Sequence, residues 1–182
     1  MNTNLLMRSL QRALTQDGHG RRLSEPDAGP LFGPQFGDTA EPDDIESGTI
    51  YVLRSLSKHP FVSEHRALIH KIGVTSGKVE TRIADAENPA TYLLAPVEIV
   101  AEYRLHNINR SKLEKIFHRL FGAVQLDLTI EDRFGKPVKP REWFVVPLQA
   151  IDEAVEHIRD GKITELVYDP KTANLVSDDQ GV

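Results

Sequence analysis

Five side chains in this sequence carry groups that could act together on a phosphate ester: Tyr51, Lys71, Arg82, Glu114 and His118. Arg82 offers a guanidinium, which matches phosphate oxygens in a bidentate way and never loses its charge. Tyr51 offers a phenol with an ordinary pKa near 10, so it acts as a base near neutral pH only beside a positive neighbour, and Lys71 is the candidate for that neighbour. Glu114 lies among Leu113, Ile116, Phe117 and Leu120, where a carboxylate must reach solvent or find a partner. His118, four residues on, falls on the same helical face. Plainer readings stand beside each of these. Tyr51 is then a half-buried strand aromatic and Lys71 an edge-strand charge. Arg82 pairs with Glu80 or Asp85, and Glu114 with His118 makes a surface pair. Residue statistics alone favour the plainer set.

The elements that would position these groups can be read from the pattern. Two runs rich in Val, Ile and Leu, about 48–56 and 68–74, predict strands that pair as an antiparallel hairpin. Gly48 opens the first and Gly73 interrupts the second, and a glycine inside a strand implies a backbone or ligand approaching closely. Residues 78–86 predict a short helix behind a polar cap. Tyr51 and Lys71 from the strands and Arg82 from that helix could therefore converge. Alternation over 97–105, 124–130 and 142–146 predicts three more strands. Helices are expected over 111–121, capped by Asn109 or Ser111, and from Leu148 to Ile158 before Gly161. The 57–67 connection is long for a hairpin and reads as a surface insertion with Lys58, His59, His65 and Arg66. The two histidines lack further ligands at metal-binding spacing and read as solvated.

Residues 1–16 place Leu6, Leu10 and Leu14 four apart, the pattern of a short amphipathic helix that could dock on the domain, on a second copy or on a partner protein. Residues 17–46 are dense in Gly, Pro, Asp and Glu and read as a flexible linker. Residues 47–161 hold the main domain, and 162–182 a small hairpin with a tail.

The Gly-x-Ile-Tyr run ending at Tyr51, the Lys-Ile-Gly of residues 71–73 and the helical Arg82 resemble the GIY-YIG endonuclease superfamily, in its phage-type branch with Lys in place of the second Tyr. The 112–121 segment, with Glu114 four residues before His118, and the Arg141–Phe144 run extend the resemblance over roughly 46–160. It implies an α/β (α+β) fold, with a small and mainly antiparallel sheet flanked by helices, and DNA as substrate. It also implies that Glu114 holds one Mg²⁺ or Mn²⁺, that Arg82 contacts the scissile phosphate, and that Tyr51 assisted by Lys71 activates water. His118 is then either a phosphate contact or a structural support.

The rest of the composition bounds these expectations. The net charge of −5 over 182 residues argues against a general nucleic-acid coat protein. The charge is uneven: residues 1–45 hold four basic against seven acidic side chains, 163–182 one against four, and the middle seventeen against sixteen. A nearly neutral core permits a local basic cleft. The absence of cysteine excludes disulfides, thiolate metal sites and thiol nucleophiles, and fits a reducing cytoplasm. No apolar run has the length to span a bilayer, so no membrane association is expected. Three functions remain in play: a metal-dependent DNA endonuclease, a noncatalytic DNA- or partner-binding module of the same fold, and an interaction domain assembled through the N-terminal helix.

Overall fold

The computed structural model describes residues 23–24 and 44–178. The expected helix at 1–16 lies outside the described residues. Strands β1 (Leu23–Ser24), β2 (Asp44–Ser55), β3 (Ile69–Thr75), β4 (Val97–Asn109) and β7 (Trp143–Val145) form one sheet in the order β1-β4-β2-β3-β7. The four strands from β4 to β7 are antiparallel, and β1 adds to β4 in parallel. The domain is therefore α+β, with helices α1 (Pro60–Glu64), α2 (Val79–Ile83), α3 (Arg110–Phe121) and α4 (Leu148–Arg159).

Period-two alternation sorts β2 between two apolar layers. Ile50 and Val52 face the main core with Ile72, Val74, Tyr103 and Leu105, where α3 contributes Leu113, Phe117, Leu120 and Phe121, and α4 contributes Ile151, Val155 and Ile158. Tyr51 and Leu53 face the other way, into a smaller cluster with Val79, Ala86 and Tyr92. Each fully buried side chain of this size contributes about 1.5–3 kcal/mol, so the larger layer holds the fold together and the smaller one positions α2. A β-bulge between Val52 and Leu53 shifts the register against β4.

Strand β4 passes directly into α3. Asn109 ends the strand and caps the helix, its side-chain oxygen accepting from the Lys112 backbone N–H at 2.9 Å. At the other end of the chain Gly161, at φ 78°, stops α4 by taking the left-handed conformation. Strands β8 (Leu166–Asp169) and β9 (Asn174–Ser177) then form an antiparallel hairpin.

Several boundaries differ from the sequence expectation. Strand β2 begins at Asp44, and β1 falls within the segment read as linker. The 57–67 insertion is not all loop: Val62 of α1 is buried and anchors it, and Arg66 donates to the Ser57 carbonyl at 2.8 Å. The strand expected at 124–130 shrinks to a bridge between Gln125 and Phe144 and a two-residue strand, β5 (Ile130–Glu131), paired with β6 (Pro137–Val138). Its alternating Leu126 and Leu128 reflect packing against the core, not a ladder.

Candidate functional site

The site forms where β7 stops. Strand β7 pairs with β3 along Ile69–Lys71 alone, and Ile72 N–H then donates to the Glu142 carbonyl at 3.2 Å. A shallow pocket there is lined by Gly73, Val74, Glu114, His118 and Glu142.

Tyr51 stands opposite Gly73 in the β2–β3 register, and its ring fills the place a side chain would take. A methyl group on Gly73 would meet Tyr51 Cε2 at 2.8 Å and the Cζ and Oη atoms closer still. The close approach that Gly73 implied in the sequence is this phenol. Tyr51 is 3% exposed, and burial, with Tyr92 beside it, pushes its pKa up to about 12. Arg82 acts in the opposite sense by hydrogen bonding to the phenol oxygen, and that bond in turn raises the pKa of the guanidinium.

The cation on Tyr51 is thus Arg82. Lys71 is engaged elsewhere, in an ion pair with Glu142, with its Nζ 5.2 Å from the centroid of the Tyr92 ring. Lys71 is not an edge charge either, since Leu53 and Trp143 flank it on the two neighbouring strands. Only 2% of it is exposed, and burial holds its pKa below the ordinary lysine value, while Glu142 and, more weakly, Glu114 raise it. Arg82 turns from α2 to the Tyr51 phenol, and among the described residues it makes no ion pair with Glu80 or Asp85; Asp85 instead accepts from the Asn88 side-chain amide.

Glu114 and His118 are both exposed on α3 and line the pocket together. The His118 ring meets Phe144 edge-on at 5.7 Å, which gives it a packing contact. Among the described residues no group of three or more His, Asp or Glu is arranged to hold a metal ion. Glu114 and Glu142 are the carboxylates that line this pocket. A wider cleft of about 520 Å³, past the first turn of α2 between Lys78 and Arg104, contains none of these five residues.

Two members of the site carried no role in the sequence reading. Tyr92 sits in a 3-10 turn after α2 and donates from its hydroxyl to the Arg82 carbonyl at 3.3 Å. Trp143 pins that turn, donating from Nε1 to the Thr91 carbonyl at 2.9 Å. Glu142 precedes β7 and reaches Lys71 only through the β3–β7 pairing. Both arrive by long-range contacts, and the only local signal was the position of Glu142 beside a tryptophan.

The match to known families falls on this same region. Residues 48–159 match the model of the T5orf172 domain, and the chain belongs to that family, one of DNA-binding, nuclease-like domains. It is 42% identical over 156 residues to the uncharacterized protein YeeC of Bacillus subtilis strain 168, a match covering 86% of this chain and 38% of that protein. The chain thus spans well under half the length of the curated relative it matches. No solved structure matches it.

The resemblance to the GIY-YIG superfamily is thereby corrected: the segment that carried the motifs is matched by the T5orf172 domain, and no GIY-YIG model matches. The motifs misled because they are short and local. Gly-x-Ile-Tyr on one strand and x-Ile-Gly on the next encode a tyrosine laid across a glycine, which is a packing solution and not a mark of lineage. Among the described residues no helix is long and apolar enough to cross a membrane.

Proposed function

We propose that the domain is a metal-dependent DNA endonuclease that hydrolyses phosphodiester bonds at the pocket beside Gly73. One observation carries this reading. Arg82 is hydrogen-bonded to the Tyr51 phenol and feels Glu142, the buried Lys71 pairs with Glu142 and feels both Arg82 and Glu114, and Glu142 and Glu114 line the pocket beside Gly73. Groups with displaced pKa values cluster at functional sites, and this linked set beside a pocket supports the reading.

Arg82 binds the scissile phosphate with the part of its fork that Tyr51 leaves free. Tyr51, ionised and stabilised as the phenolate by Arg82, orients the attacking water and takes its proton, becoming the neutral phenol as the hydroxide attacks phosphorus. Lys71, fixed by Glu142 and screened from solvent, keeps positive potential next to the phosphate as charge develops on it. Glu114 would hold one Mg²⁺ or Mn²⁺, which when bound neutralises phosphate charge and stabilises the leaving oxygen. His118, at the rim, supports Phe144 and the wall of the pocket.

The raised pKa of Tyr51 favours one other reading, a noncatalytic module that binds DNA or a partner through the same region. Cleavage of supercoiled and branched DNA with Mg²⁺ or Mn²⁺, wild type beside Glu114→Ala, separates the two. Metal-dependent nicking that the variant loses supports the nuclease. Salt-sensitive binding with no cutting by the wild type moves the assignment to the module.

A further inference from the structure

The β5–β6 hairpin carries a feature that the pocket does not use. Phe134, at its tip, is 73% exposed, the most exposed large apolar side chain among the described residues. The tip is held rigidly. Asp132 Oδ1 accepts from the backbone N–H groups of Phe134 and Lys136, both at 2.8 Å, and Asp132 N–H donates to the Lys136 carbonyl at 2.8 Å. Gly135, at φ 76°, makes the reversal. The Arg133 guanidinium lies 4.9 Å from the Phe134 ring centroid.

Residues 130–141 include Arg133, Lys136, Lys139 and Arg141 against Glu131 and Asp132, a net positive projection on a chain of net charge −5. An exposed apolar ring normally costs solubility, and here it lies against the Arg133 guanidinium in a segment with a cationic excess. That combination suits a polyanion whose subunits present flat apolar faces. The hairpin is also anchored to the site. Lys139 pairs with Asp127 at 2.8 Å at its root, Leu126 N–H donates to the Trp143 carbonyl at 2.8 Å, and only Lys139, Pro140 and Arg141 separate β6 from Glu142.

We infer that this hairpin is a nucleic-acid reader: Phe134 stacks on an unpaired or unstacked DNA base while Arg133 and Lys136 hold the adjoining phosphates. The inference rests on DNA being the ligand of the domain. It would direct the pocket toward DNA with exposed bases, such as junctions, mismatches or single-stranded ends, since a base must leave its stack to meet the ring.

Phe134→Trp supplies a reporter, because the native Trp143 is fully buried and contributes a constant background. The full chain is titrated in EDTA, so that no cutting occurs, with an oligonucleotide bearing unpaired bases, and separately with heparin, a polyanion without bases. Emission from the new tryptophan is expected to fall on the oligonucleotide and to hold steady with heparin. Phe134→Ala is expected to weaken oligonucleotide binding about tenfold, measured by anisotropy. Binding without quenching, or equal quenching by heparin, overturns the inference and leaves the nuclease reading standing. Absence of any DNA binding overturns both.

Discussion

The ring of Tyr51 lies across Gly73 on the neighbouring strand, in the space where any other residue would place its Cβ. The pair links sheet packing to chemistry, because the same contact that fills the sheet face sets the phenol against Arg82.

Gly73→Ala is therefore expected to displace the phenol and to destabilise the domain by about 1–3 kcal/mol, the usual cost of overpacking. Chemical denaturation measures it. An unchanged midpoint would mean that the ring does not occupy that space.

If Tyr51 takes the proton from water, only its ionised form is active. With a pKa near 12, that fraction rises about tenfold per pH unit through the neutral range. The logarithm of the cleavage rate should then climb with unit slope between about pH 6.5 and 9, and Tyr51→Phe should lower the rate by about 10²–10⁴ and flatten the slope. A flat wild-type profile excludes the role. Arg82→Lys is expected to fail as a substitute, since an ammonium cannot serve phenol and phosphate together as a fork does.

Removing the charge of Glu142 leaves a buried ammonium without its partner. Glu142→Gln should cost about 2–3 kcal/mol at pH 7, less than for a fully buried pair because Glu142 reaches solvent. The folded pKa of Lys71 already lies below its unfolded value, and the variant lowers it further. The penalty applies while Lys71 is charged and is relieved as the pH rises through the folded pKa toward 10.5, so the variant should recover relative to wild type at high pH. A deficit independent of pH would point to packing instead. Lys71→Met combined with Glu142→Gln should restore stability and not cleavage.

His70 is fully buried, its Nδ1–H donating to the Val146 carbonyl at 2.8 Å, and burial lowers its pKa to about 4. The unfolded value is near 6.5, so the stability gained from a neutral ring is complete above that pH and is lost as pH falls toward 4, about 3 kcal/mol in all. His70→Asn keeps a donor for Val146 without titrating. Its deficit against wild type in urea should narrow between pH 7 and 4.5, and a constant deficit would rule out the His70 titration.

The sequence carried what is local. Alternation in β2 and β4, the Asn109 cap and the glycine opposite Tyr51 could all be read from neighbouring residues. The approach of Arg82 to Tyr51 could be read as well, but Glu142 on Lys71 and Tyr92 beside Tyr51 could not. Glu142 depends on the pairing of β7 with β3, and Tyr92 on a turn held by Trp143, both across more than fifty residues of chain. Short motifs also report geometry more faithfully than ancestry, which is why the family assignment changed while the α+β architecture stood.

Because β4 runs into α3 at Asn109 with no linker between them, Glu114 is carried on an extension of the sheet itself. Such a carboxylate has no hinge on which to swing toward a substrate. If the domain cuts DNA as proposed, the protein serves as an anvil, and the readiness of the DNA to bend at a given step would govern where it is cut.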